Sequence, residues 1–236
     1  MPLVEDAAAS KHRFAGPFGE ITLHVCRPEQ RDAGGVIFFP GDYDPRDFPA
    51  THARGSELAA GARCTVLLVE SALLRAPKFP RSLDEAYFIT CFLHEHADEL
   101  GLDHRKLAIG GERFGATLAT TVARLAKERR NPELIFQLLL FPVLDLRAPS
   151  PELEELVESY VAHEADRRDP RACPVLAKNL IGLPSALILA AESQRAEAET
   201  YLAALTKAYV PATLTFTKAA AALPQAAAAL RQALSS

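Results

Sequence analysis

The chain has 236 residues, 49% of them hydrophobic and 24% charged, a balance that excludes intrinsic disorder and fits one large domain around a single core. Lysine and arginine number 26 against 30 aspartate and glutamate, so the formal charge of −4 leaves no basic footprint for DNA or RNA. The longest apolar runs, 134–143 and 183–191, are too short for the ~20-residue helix that crosses a membrane, and residues 1–13 lack the basic start and apolar centre of a secretory signal. The expectation is therefore a cytoplasmic protein with neither nucleic acid nor membrane as a partner.

Residues 1–18 read as an N-terminal arm of a single domain covering 1–236. Ile21, Leu23 and Val25 alternate with Glu20, Thr22 and His24, the period of an outer strand with one face in the core. Beyond the turn-rich 28–35, short and nearly continuous apolar runs at 36–39, 65–69, 106–110, 134–141 and 186–190 match strands buried on both faces of a parallel sheet. Leu214 and Phe216 alternate with Thr213, Thr215 and Thr217, which predicts a last strand with a more polar face and an edge open to self-association.

Helical patterns fall between these strands, at 53–60, 83–100, 114–129, 151–163, 196–208 and 224–234. Gly101 is placed to cap the second in the left-handed conformation, and Leu118, Val122 and Leu125 form the apolar stripe of the third. The alanine-rich stretch 219–229 favours helix over disorder. Strand and helix alternate almost throughout, the pattern of an α/β doubly wound domain with a mostly parallel central sheet and helices on both faces.

Cys26, Cys64, Cys91 and Cys173 are scattered, without metal-ligand spacing or a disulfide framework, and read as reduced core residues. His94 and His96 are two apart on a predicted helix, so they point in different directions and cannot hold one ion together. The basic cluster Arg124, Lys127, Arg129 and Arg130 complements a helix C-terminus, and 166–169, mixed in sign, reads as exposed loop. No metal site and no cofactor are expected.

The strand at 106–110 leads into Gly110-Gly111-Glu112-Arg113-Phe114-Gly115-Ala116 and then a helix, with glycines two residues before and two after Arg113. A strand, a tight turn and a helix with small flanking residues is the pattern of a nucleophile elbow. Further segments follow in matching order. They are Phe79-Pro80 with Asp84 and Ala86, the helix 95–101, Leu140-Phe141-Pro142-Val143-Leu144-Asp145, the stretch 169–174, and 182–188. On these residues, from about Gly19 to the C-terminus, the chain resembles the hormone-sensitive-lipase-like esterases and lipases of the α/β-hydrolase fold.

Against that family's pattern the chain departs at each catalytic segment. The oxyanion loop His-Gly-Gly-Gly corresponds to Phe39-Pro40-Gly41-Asp42-Tyr43, and the elbow serine corresponds to Arg113, a cation with no lone pair for attack. The acid loop is shortened to Glu192-Ser193-Gln194-Arg195-Ala196, and 218–222 carries no histidine. The cap over the pocket reads as reduced or absent, leaving an open surface for a homo-oligomeric or other protein partner.

These departures lead to the expectation of a catalytically degenerate member, a pseudo-esterase acting by ligand binding or protein assembly with no catalytic residue assigned. One alternative is a repurposed lyase, isomerase or cyclase in the same crevice. A weaker one is a residual carboxylesterase. The candidate pocket for a small anionic or acyl ligand comprises Arg113, Glu112, Phe114, Gly41, Asp42 and Tyr43. Arg113 and the N–H groups at a helix start suit a carboxylate or phosphate. Asp42, Tyr43 and Asp44 read either as acid–base groups at the mouth of the sheet or, with Pro45, as a turn.

Overall fold

Apolar residues on both sides of the central strands give the sheet two buried faces, and a computed structural model shows which helices cover them. It describes residues 4–6, 11–30, 32–41, 48–71, 78–149 and 151–235. The strands among them are β1 (Val4–Asp6), β2 (Lys11–Gly16), β3 (Gly19–Cys26), β4 (Gly35–Phe39), β5 (Thr65–Ser71), β6 (Leu107–Glu112), β7 (Phe136–Leu140), β8 (Ser185–Ala190) and β9 (Ala212–Phe216). They form one sheet in the order β1-β2-β3-β5-β4-β6-β7-β8-β9. The pairs from β1 to β5 are antiparallel, and every pair from β5 through β4 to β9 is parallel.

Two expectations at the N-terminus need correction. Residues 11–16 are a strand rather than an arm, and β3 is not an outer strand, because β2 pairs with it along its length from Lys11↔His24 to Gly16↔Gly19. The sequence hides β2 because its buried face is carried by His12 and Phe14, between the outward Lys11 and Arg13. A histidine on the inner face reads as polar, and the alternation disappears.

The helices are α1 (Phe48–Ala62), α2 (Arg81–Glu95), α3 (Phe114–Arg129), α4 (Pro151–Tyr160), α5 (Arg195–Lys207) and α6 (Ala219–Leu234). Helices α1 and α6 cover one face of the sheet, where Leu58, Ala226 and Leu230 meet Val36, Phe38, Val66 and Leu138. The opposite face, with Ile37, Leu67, Ile109 and Ile188, is covered by α2, α3 and α5. Successive residues of one strand thus enter different cores, as a pleat requires. Helix α2 stops before Gly101. His96 leaves the helical conformation, its ring sits 4.3 Å from that of Phe92, and Gly101 at φ 69° instead caps a short 3-10 turn, Asp98–Leu100.

Gln137 is fully buried on the α3 side of β7, and such an amide must be bonded. It accepts from Thr120 Oγ1 at 2.9 Å and donates to the Pro184 carbonyl at 2.8 Å, while Thr120 Oγ1 also lies 2.6 Å from the buried Tyr201 hydroxyl. One network therefore joins α3, β7 and α5. The cysteines are free, with Cys26, Cys64 and Cys173 buried and Cys91 half-buried. No helix among the described residues is long and apolar enough to cross a membrane.

His24 is 2% exposed, with Nε2 2.7 Å from Glu70 and its ring 4.1 Å from that of Phe48, where α1 begins. Burial lowers its pKa below the usual 6.5; Glu70 opposes that shift, while Lys11 and His52 add to it. The unfolded chain then binds this proton more tightly than the folded one. Stability from neutral His24 is complete above pH 6.5 and is lost as pH falls from there toward the lower folded-state value. Urea denaturation at about pH 7.5 and about pH 5 should show this loss, and a His24→Gln variant should shrink the difference.

Candidate functional site

Strands β4 to β9 are parallel, so their carboxyl ends meet on one side of the sheet, where open α/β folds bind ligands. The turn from β6 into α3 lies at the centre of this side. Its apex, Arg113, has φ 53° and ψ −119°, a conformation that a residue with a side chain adopts only at a cost of ~1–3 kcal/mol. The surroundings hold it there. Arg113 N–H donates to the Leu140 carbonyl at 2.9 Å, and its own carbonyl accepts from Ala116 and Thr117 at 3.1 and 3.2 Å. Thr117 Oγ1 in turn donates to the Val143 carbonyl at 2.6 Å.

Three glycines make the turn sterically possible. A Cβ on Gly115 would stand 2.0 Å from the Phe39 carbonyl oxygen, one on Gly111 would stand 2.3 Å from Gly115, and one on Gly41 would stand 2.5 Å from the Glu112 carbonyl oxygen. The end of β4, the apex and the first turn of α3 are thus in backbone contact, which brings Gly41 beside Arg113 as the sequence suggests. Asp42 and Tyr43 lie outside the described residues.

An open crevice of about 850 Å³ runs from the apex across the ends of β7, β8 and β9. Glu112 and Arg113 line one end, Phe141 the middle, and Glu192, Thr217 and Lys218 the far wall. Phe114 is not a crevice residue through its side chain. It is fully buried and stacked on Tyr160 at 4.5 Å, so only its backbone belongs to the turn. Burial pushes the Tyr160 phenol up, which keeps it neutral.

Both lining carboxylates are paired with arginines set back from the crevice. Glu112 bonds Arg54 of α1 at 3.1 Å, and Glu192 bonds Arg195 at 2.7 Å. Arg195 also holds Glu199 at 2.8 Å and lies 3.8 Å over the Phe216 ring. These pairs offset the negative charge that would oppose an anionic ligand near Arg113 and Lys218.

The crevice floor is tied down by two side chains that sequence reasoning passed over. Gln194 donates to the carbonyls of Phe141 and Pro142, both at 3.0 Å, and accepts from Ala191 N–H. Glu197 accepts from the N–H groups of Leu144 and Asp145 at 2.6 and 2.8 Å, while burial pushes its carboxyl pKa up. Their roles depend on a loop brought near from more than fifty residues away, and nothing local in the sequence signals that. Glu192 and Lys218 had a signal, since each lies two residues beyond a strand whose carboxyl end opens onto the crevice. Among the described residues, no group of three or more histidine, cysteine, aspartate or glutamate side chains is arranged to hold a metal ion. His94 instead faces His104 with ring centroids 5.3 Å apart, and His96 bonds Glu99 at 2.8 Å.

A family model described as alpha/beta hydrolase fold matches residues 41–221, which include the elbow and the ends of β7, β8 and β9 that the crevice crosses. The chain belongs to the α/β-hydrolase fold family. This α/β-hydrolase is 30% identical over 192 residues to an ethyl acetate hydrolase of Pseudomonas putida, covering 73% of this chain and 60% of that protein. It is 28% identical over 194 residues to the esterase LipI of Mycobacterium tuberculosis, covering 75% and 61%. It thus spans about three-fifths of the length of these curated relatives. A thermostable esterase from Pseudomonas putida superposes with a TM-score of 0.84 at 26% identity, over 98% of this chain and 86% of the other.

The comparisons correct the functional expectation. Relatives that share this α/β-hydrolase's sequence and fold are named for ester hydrolysis, which overturns the reading of a pseudo-esterase that works by ligand binding or assembly alone.

The elbow generates a stability prediction. Gly115→Ala forces a methyl group into the Phe39 carbonyl and should cost about 3 kcal/mol, at the upper end of overpacking penalties. Chemical denaturation should show this as a lower midpoint with an unchanged slope.

Proposed function

We propose that the chain hydrolyses carboxylic esters in the crevice at the strand ends by direct attack of water, without a serine nucleophile. The observation that carries this reading is the elbow itself. Positive φ at residue 113 and glycines at 111 and 115 keep the backbone of an acyl-transfer site, although arginine occupies the apex. The names of the relatives support the substrate class.

In this reading Arg113 at the apex and Glu192 and Lys218 on the far wall line the reaction space, and none attacks the ester. Water adds to the acyl carbon, and the carbonyl oxygen becomes an oxyanion beside the Arg113 guanidinium and the N-terminal end of α3. The bond to the alcohol oxygen then breaks, and the leaving alkoxide takes up the proton released by the attacking water. A guanidinium presents N–H donors and no acceptor, so Arg113 serves as a fixed donor rather than as an acid or base. Donors aimed at a developing oxyanion accelerate acyl transfer even without a nucleophile, by ~10³–10⁴ over water where the triad is removed.

Purified protein should therefore turn over p-nitrophenyl acetate above a buffer blank, with no burst of nitrophenol, because no acyl-enzyme accumulates. Arg113→Ala should lower the rate by about 100-fold, the scale of one lost oxyanion donor. A rate equal to the blank, or one unchanged in Arg113→Ala, overturns the proposal.

A further inference from the structure

The crevice carries a charge pattern that hydrolysis of a simple ester does not require. Arg113 stands at one end and Lys218 on the far wall, while the lining between them is apolar, with Phe141 in the middle and Ala191 and Phe216 at the ends of β8 and β9. Strands β6 and β9 are three places apart in the sheet, so the two cations spring from points about 14 Å apart, at ~4.8 Å per strand. The carboxylates lining the same space are held from behind. Glu112 lies 3.1 Å from Arg54, and Arg195 grips both oxygens of Glu192, at 3.0 and 2.7 Å. Lys218 is exposed, and among the described residues no carboxylate pairs with it.

We propose that Lys218 makes the crevice selective for half-esters of aliphatic dicarboxylic acids, with the ester carbonyl at Arg113 and the free carboxylate at Lys218. The assignment rests on the reading of the crevice as a site of ester hydrolysis and adds the substrate class. Such a ligand repeats the lining, with an aliphatic chain between one anionic group and one that becomes anionic. An ester without the second charge leaves Lys218 facing water. Water converts the half-ester to the dicarboxylate and the alcohol, so the product is an anion at both ends and spans both cations. Lysine suits the distal position, because an ammonium on a flexible stem attracts a carboxylate from many directions, whereas a guanidinium favours a planar, bidentate approach. Water in an open crevice screens the contact and limits its strength to that of an exposed ion pair.

The test compares ethyl hydrogen adipate with ethyl hexanoate as substrates, and adipate with hexanoate as ligands, in the intact chain and in Lys218→Met, Lys218→Arg and Lys207→Met. Lys207 is exposed at the far end of α5 and controls for the loss of one positive charge. Circular dichroism confirms that each variant is folded. In Lys218→Met the ratio of kcat/KM for the half-ester to that for the neutral ester should fall about fivefold, and the ratio of the two acids' affinities by titration calorimetry should fall with it. Lys218→Arg should keep most of both ratios and Lys207→Met all of them. Sodium chloride at about 0.5 M should lower the parent's ratios toward those of Lys218→Met. Ratios unchanged in folded Lys218→Met, or lowered as far in Lys207→Met, overturn the proposal. The two readings fail separately. Turnover of both esters with unshifted ratios removes the Lys218 assignment alone. Adipate binding that weakens relative to hexanoate in Lys218→Met, without turnover of either ester, supports the carboxylate contact and removes the hydrolysis.

Discussion

The site depends on one steric constraint, the approach of three backbone segments at the elbow to distances that no side chain permits. Gly115 lies against the carbonyls at the end of β4, Gly111 against Gly115, and Gly41 against the carbonyl of Glu112. Once those contacts form, the direction of α3, the position of residue 113 and the end of β4 are no longer independent. Packed backbones cannot adjust by a change of rotamer, so the geometry is insensitive to which side chain stands at the apex. That is why an arginine can sit in a turn built for a smaller residue. The strain at φ 53° is borne by bonds to Leu140, Ala116 and Thr117, none of which involves the guanidinium.

The legible part of the fold is the part whose physics is local. The apolar runs marked β4 to β8 because each is buried on both faces, and the helical stripe of α3 gave its limits to the residue. The unread part has non-local causes. β2 becomes a strand by pairing with β3, and its inward His12 disguises the period. α6 begins at Ala219, five residues before the expected 224, because Pro224 suggests a start yet is tolerated inside the first turns. Gly101 takes its left-handed conformation as expected, but it caps a 3-10 turn after α2 has already ended.

The candidate site divides in the same way. Arg113 and Glu112 were legible from the glycine spacing around 113 and Gly41 from the resemblance to the family's oxyanion loop, and the structure brings all three together. Phe114 was placed correctly in the chain but not in space, since its ring turns inward onto Tyr160. Gln194 and Glu197 escaped notice because they act on carbonyls and N–H groups of the loop after β7, a contact created only by the fold. Function was the least legible level. A motif reading weighs the apex residue heavily, whereas relatives sharing about three residues in ten retain the scaffold and are named as esterases. Fold and chemistry are separate inheritances, and residues at the strand ends decide the second.

The buried Thr120–Gln137–Tyr201 network gives the two faces of the sheet different mechanical character. Hydrogen bonds are directional, so α3 and α5 are registered against β7 and cannot slide without leaving an amide or a hydroxyl unsatisfied. On the other face, α1 and α6 meet through Gly61 and Ala227 and through aliphatic side chains, whose attraction has no preferred direction. One flank of the crevice is therefore keyed in place by buried hydrogen bonds, while the other is packed on aliphatic contacts and tied only at its margins, by Arg54–Glu112 and Gln225–Thr217. Any widening of the site should come from α1 and α6 shifting as a pair, while the apex and the far wall keep their spacing.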